Sequence, residues 1–324
     1  MHSPPAPASS PHRHIRNSLL LATCADRLAA PLHGIRLPTP AQVDAAIDTA
    51  ANDGPSSHLT RQLLATAGHY GEHDGALDED QLAWTLAQHP PAEASRGGNG
   101  TATVLAQVAQ GIPWWQAAPS LHGGEGSHGS TAAIRAIASG LLPHTGIGTI
   151  AELARRSAVI THTHQLARDA AAITATATAL ATHTLPSKTF TTERFLATAA
   201  SQAHHPDFTH HLSITRTLVR HRAGPAETIA TLNTTSSALR TVPAALTAYL
   251  RHPTDPTAAI RYALSLGGHT HATATITAAL AGARNPGYVP PAAWSTNNDS
   301  LNIHTIAAAL ANLKNPHPQP WRQP

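Results

Sequence analysis

The stretch DPTAAIRYALSLGGHTHATATITAALAGA, residues 255–283, decides the fold class. Asp255 before Pro256 is a helix start: the Asp side chain can cap a free amide, and proline at the first helical position sacrifices an N–H that has no partner anyway. The apolar residues that follow recur at helical spacing until Gly267 stops the run, and Gly267-Gly268-His269-Thr270-His271 then opens a second helix rich in Ala and Thr. Two helices joined by a glycine turn, built from small side chains, imply close helix–helix packing.

The same punctuation recurs along the chain. Thr149 and Glu152 have the spacing of a capping box, and Thr101 to Gln110 places Val104, Leu105 and Val108 on one face before Gly111 and Pro113 end it. Ser300 is expected to cap a last helix with Leu301, Ile306, Leu310 and Leu313 turned inward. Alternation over strand lengths is rare, and the Ala/Thr tract at 172–178 reads as one surface of a helix. These signals predict an all-α, single-domain multi-helix bundle of about ten helices with no strand. Residues 1–15, Pro/Ser-rich at their start, are expected to form a disordered N-terminal arm, 16–314 the domain and 315–324 a tail.

The chain has 324 residues, enough to bury a substantial core, and is 41% hydrophobic but only 4% aromatic and 12% charged. Lys188 and Lys314 are its only lysines, and the net charge of +3 is spread thinly, so no basic face with interleaved aromatics marks a nucleic-acid binder. The single Cys24 excludes an internal disulfide and fits a reducing compartment. Arg13 to Cys24 mimics a lipoprotein signal, but the apolar part, Leu19 to Ala22, is too short for export. No run is long enough for a membrane helix, so a cytoplasmic location is expected, without membrane or nucleic-acid partners.

Five segments could carry chemistry. They are Ala25 to Gly34 near the start of the first helix, the acidic Asp78-Glu79-Asp80 at a helix start, the Gly/Ser-rich run Gly123 to Thr131 leading into a helix, Thr161-His162-Thr163-His164, and Gly267 to His271. Each has a plain structural alternative. Acids in a first turn offset the helix dipole, and a Gly-rich loop before a helix is an ordinary connector as well as a ready anion site. With 24 histidines in the chain, the His-x-His pairs at 12/14, 162/164 and 269/271 are not in themselves evidence for a metal.

Taken in order, the segments resemble the ADP-ribosylglycohydrolase family, which includes the dinitrogenase-reductase-activating glycohydrolase. The family's G-D-A-L-G-x-P-x-E helix is matched over Ala25 to His33 with Asp26, Leu28 and Pro31 kept, and its T-D-D-T-x-h-A by Leu77 to Ala83. Its R-G-x-G-x-T and G-x-P-W resemble Arg96 to Thr101 and Gly111 to Trp114. Its phosphate-binding G-N-G-A-A-M-R resembles Gly129 to Arg135, T-H-x-H is intact at Thr161 to His164, and G-G-D-T-D-T is similar to Gly267 onwards, with P-x-x-W at Pro291 to Trp294. The similarity spans roughly residues 16–313.

The resemblance implies an all-α cleft holding two Mg²⁺ or Mn²⁺ ions that help cleave the bond between ADP-ribose and a protein side chain. The six ligand positions are occupied here by Leu77, Asp78, Glu79, His269, His271 and Ala272, and only Asp78 is unchanged. Two carboxylates cannot neutralise two adjacent divalent ions, and imidazole suits softer metals than magnesium. The ordinary centre is therefore expected to be absent. Either one transition metal is held by Asp78, Glu79, His269 and His271, with Glu79 or Asp80 as catalytic base, or these positions have drifted after loss of the metal.

On the ligand side, Gly126, Ser127, His128, Gly129, Ser130 and Thr131 can offer amides to a diphosphate, and His162 matches a nucleotide-contacting position. Thr131 replaces a glycine, and His33 replaces the entrance glutamate; Asp26 is expected to be structural. The implied partner is ADP-ribose or an ADP-ribosylated protein, approached by an impaired hydrolase. The alternatives are a non-catalytic binder and a helical scaffold that binds neither metal nor nucleotide.

Overall fold

The structure, a computed structural model, describes residues 10–48, 56–88, 100–183, 190–233, 235–294 and 297–314. Sixteen α-helices lie among them. In chain order they are α1 Pro11–Ala29, α2 Pro40–Asp48, α3 His58–Glu72, α4 Glu79–Ala87, α5 Gly100–Ala109 and α6 Trp114–Ala117. Then follow α7 Thr131–Gly140, α8 Ile147–Val159, α9 Gln165–His183, α10 Thr192–Ala200 and α11 Pro206–Arg220. The set closes with α12 Pro225–Leu232, α13 Ala238–Arg251, α14 Pro256–Ser265, α15 Thr270–Arg284 and α16 Asn297–Ala311. The only β-type pairing among the described residues is an isolated bridge between Gly129 and Ser237.

The fold is all-α, as the residue pattern implies, but richer in helices than the expected ten. The difference comes from pieces such as α6 and α12, too short to display a period in sequence. The Asp255 cap is as read, accepting from the Ala258 amide at 3.0 Å. The Thr149 capping box is not: α8 begins at Ile147 behind Gly146, so Thr149 sits within its first turn. Ser300 likewise lies inside α16, whose buried face is Ile303, Ala307 and Leu310, while Leu301 is 70% exposed. Ala25 to Gly34 closes the first helix rather than opening it, and that helix starts at Pro11, ahead of the expected boundary at 16. The proposed tail at 315–324, residues 1–9 of the arm, and Arg96 to Asn99 lie outside the described residues.

α1 and α15 cross at the centre, and the small residues decide how closely. A methyl group on Gly282 of α15 would collide with the Asn17 carbonyl of α1, and one on Gly140 of α7 would collide with the Ala175 carbonyl of α9. α9 is the Ala/Thr helix. Its Thr174, Thr176 and Thr178 are fully buried rather than lying on a surface, and the Thr178 hydroxyl donates to the Thr174 carbonyl at 2.9 Å. This back-bond satisfies the Thr178 hydroxyl in the core, whereas the Thr174 and Thr176 hydroxyls have no partner among the described residues. One continuous apolar cluster runs from Ile15 to Leu313, and a second, of Ala132, Ala136, Ile150, Ala154, Ala158, Ala171, Ala175 and Ala179, joins α7, α8 and α9. No helix among the described residues is long and apolar enough to cross a membrane.

Because alanine is the better helix former, Gly282→Ala would stabilise an isolated helix by about 1 kcal/mol. Here the contact with Asn17 reverses the sign, and a net loss of about 1–3 kcal/mol is expected from urea unfolding. A gain in stability would show that α1 and α15 do not touch at this point.

Candidate functional site

Asp26, near the C-terminal end of α1, is 1% exposed and carries the corner at which three segments meet. Its Oδ1 lies 2.8 Å from Nδ1 of His271, while Oδ2 accepts from the Ser57 amide at 2.9 Å and the Thr60 hydroxyl at 2.7 Å. Burial alone would raise the Asp26 pKa, but the bond and charge of His271, with the Thr60 and Ser57 donors, outweigh it and hold the carboxyl below its ordinary value. The Gly267-Gly268 turn is fastened beside it. Both glycines have positive φ, a side chain on Gly267 would meet the backbone oxygens of Ile35 and Arg36, and the Gly268 amide donates to the Ile35 carbonyl at 3.0 Å.

This fixes His269 and His271 at the start of α15. The His33 ring stands 5.1 Å from that of His271, and His58, the first residue of α3, feels both Asp26 and His271 electrostatically. Burial, followed by the proximity of His271, His33 and His58, pushes the His269 pKa down to about 4. One carboxylate and four imidazoles thus make up this wall.

The Gly/Ser loop lies directly against these residues. His269 Nδ1 meets Ser130 Oγ at 3.2 Å, tying the two loops together. Gly126 has φ +76°, and a side chain there would collide with Thr163, so the loop passes against the Thr161–His164 turn only because this residue is glycine. Ser127 Oγ accepts from the Gly129 amide at 3.3 Å, and the His128 carbonyl accepts from Ala238 at 3.0 Å. α7 then starts at Thr131 with its first residues buried and with no side chain capping its N-terminus. A buried, uncapped helix start is where an anion is favoured.

His162 is 1% exposed; its Nδ1 lies 2.7 Å from the Thr161 hydroxyl, and its Nε2 faces Gly129, 3.2 Å from where a side-chain carbon there would sit. Burial, then the charges of Arg135, His128 and His122, hold it well below the ordinary histidine pKa. The His128 ring stands 5.6 Å from His164 and 6.1 Å from His122, so the rim of this wall is also lined with imidazoles.

The acidic segment is engaged elsewhere. Asp78 caps α4, its Oδ1 accepting from the Gln81 amide at 2.9 Å, and its own amide donates to His69 Nε2 at 3.2 Å. Glu79 is held in a two-pronged pair by Arg156, Nε to Oε1 at 2.6 Å and a terminal nitrogen to Oε2 at 3.0 Å; the same nitrogen reaches the Leu77 carbonyl at 3.1 Å. Asp80 accepts from the Trp114 indole at 2.7 Å. Among the described residues, no three His, Cys, Asp or Glu side chains stand together as a metal-holding group. Asp78, Glu79, His269 and His271 are therefore not assembled into one, whereas Ser127 to Thr131, His162 and His269 do converge.

Two magnesium or manganese ions do not fit the side chains at these positions. The donors are nitrogens where hard ions need oxygens, and the nearest carboxylates already satisfy Arg156, a helix N-terminus and the 57–60 turn. Sequence reasoning missed Arg135, Arg156, His58 and the reach of Asp26 to His271, since the hydrogen-bond partners involved lie 22 to 245 residues away.

A stability consequence follows for pH. His69 and His269 are both pushed to about 4, chiefly by burial, against an ordinary 6.5. Below pH 6.5 the unfolded chain binds protons that the folded chain refuses, so stability falls as pH drops from about 6.5 towards about 4. Urea midpoints measured from about pH 7 to about pH 4.5 are expected to decline steadily; a flat profile would contradict the burial of these rings.

The family model described as ADP-ribosylglycohydrolase matches residues 7–319. No curated protein matches the sequence. A solved structure titled "ADP-ribosylglycohydrolase-related protein complex" superposes with a TM-score of 0.68 at 20% identity, covering 94% of this chain and 99% of that one, which shows a common fold. With the family model spanning almost the whole sequence, the chain belongs to the ADP-ribosylglycohydrolase family.

Proposed function

We propose that this protein binds ADP-ribose, free or attached to a protein side chain, and that its hydrolysis of the ADP-ribosyl linkage is impaired. The observation that carries the reading is the start of α7: buried, without a side-chain cap, and faced by His162 across Gly129. Amides and an imidazole N–H are the donors that a diphosphate needs, and Gly126, Ser127, His128, Gly129, Ser130 and Thr131 supply the backbone around it.

Impairment rests on the catalytic side. Hydrolysis adds water at the anomeric carbon and returns a proton to the departing side chain, so it needs a free base close to the ribose. Of the candidate bases, Glu79 is neutralised by Arg156 and Asp80 has one oxygen committed to Trp114. In the family, metal ions would supply an activated water; the donors here do not suit the hard ions that do so.

A second reading has one observation in its favour. The Asp26 carboxylate on His271 Nδ1 leaves Nε2 as the outward nitrogen, the way carboxylates orient metal-binding histidines. A single transition metal on Asp78, Glu79, His269 and His271 would need these side chains to be drawn together on binding, at the cost of the Asp78 cap and the Glu79–Arg156 pair.

Calorimetric titration of metal-stripped protein with ADP-ribose, repeated with Mg²⁺, Mn²⁺ and Zn²⁺, separates these readings. Binding that is indifferent to metal, and weakened about tenfold or more in His162→Ala, is expected. Binding that appears only with Zn²⁺ or Mn²⁺ and vanishes in a His269→Ala/His271→Ala double variant would favour the rebuilt centre. No binding under any condition would overturn both and leave a scaffold.

A further inference from the structure

Arg135 of α7 is fully buried, and the acceptors it meets are all neutral. One terminal nitrogen donates to Gln62 Oε1 at 2.9 Å; the other donates to the Ser157 carbonyl at 3.0 Å and to the Thr161 hydroxyl at 2.7 Å. Burial lowers its pKa only to about 10, so the cation persists at neutral pH. A buried charge without a carboxylate is costly; Nε finds no partner among the described residues, so the two terminal nitrogens carry the compensation, and their placement has a directional consequence.

A guanidinium can only donate. It therefore occupies a lone pair of Thr161 Oγ and repels the hydroxyl proton, which turns to the other neighbour, His162 Nδ1, at 2.7 Å. A ring nitrogen that accepts cannot carry the proton of a neutral imidazole, so the proton resides on Nε2. Nε2 has no acceptor within the protein among the described residues, and it faces the space beside Gly129 that Ser127 Oγ also borders.

We infer that Arg135 and Thr161 are positioning residues that lock His162 in its Nε2–H form and aim that donor at an anionic oxygen of the ligand beside Gly129. The inference deepens the proposed function and takes from it the identity of the ligand. The lock itself, however, is a property of the free protein. The buried cation two bonds away polarises the chain of donors, so Nε2–H becomes a stronger donor than an isolated imidazole. The site thus offers charge assistance to a diphosphate without placing an arginine in contact with it.

The test uses the full chain labelled with ¹⁵N-histidine, with His162 assigned through His162→Gln. In the unmodified protein, His162 is expected as a single Nε2–H tautomer whose Nδ1 signal is that of an unprotonated, hydrogen-bonded nitrogen. Addition of ADP-ribose is expected to shift the Nε2–H proton downfield. Thr161→Val keeps the shape and leaves Arg135 its Ser157 and Gln62 acceptors, so the fold should survive. It is expected to abolish the single-tautomer signature and weaken ADP-ribose binding about tenfold, while Thr161→Ser restores both. A proton on Nδ1 in the unmodified protein, or a Thr161→Val variant unchanged in signature and affinity, would overturn the inference. A locked tautomer in a protein that binds no ADP-ribose would support the lock and overturn the functional reading instead.

Discussion

The bond between Asp26 and His271 is the constraint on which the rest of the site depends. It joins the end of the first long helix to the start of a helix 245 residues later, and the same carboxylate gathers the Ser57–Thr60 turn. From this anchor the Gly267-Gly268 turn can lie against Ile35 and Arg36, His269 can reach Ser130, and the Gly/Ser loop is held over His162. The carboxylate is buried, and each of its oxygens has a partner. Loss of the charge would leave the Ser57 amide and the Thr60 hydroxyl facing a poorer acceptor in a dry corner, so the corner holds together as a unit.

Around that anchor the side chains are mostly imidazoles. His33, His58, His269 and His271 surround Asp26, and His122, His128 and His164 line the rim of the nucleotide side. The acids that remain at 78–80 have structural partners of their own: a helix cap, Arg156 and the Trp114 indole. An arrangement of imidazole nitrogens in place of carboxylates is poor company for two hard divalent ions.

Much of this architecture was legible in the residue pattern, because helix stops and starts are local events. Asp255 caps where its spacing with Pro256 implies, Asp78 caps α4, and the Thr101–Gln110 helix buries Val104, Leu105 and Val108. Thr149 and Ser300 misled because capping residues also occur inside helices. At α16 the buried period is set by Ile303, Ala307 and Leu310, which are less conspicuous than Leu301. The order of the site segments was readable; their partners were not. Nothing near Glu79 announces Arg156, and nothing near Thr161 announces Arg135, since each pair forms only when α7 and α8 pack against their neighbours.

The central claim, a nucleotide cleft retained without its pair of hard metal ions, is tested most directly by titrating metal-stripped protein with Mn²⁺ while following the paramagnetic resonance signal of the free aqueous ion. The account predicts a free-ion signal that grows in proportion from the first addition, with ADP-ribose present or absent. Suppression of that signal until two Mn²⁺ per chain have been taken up would contradict it.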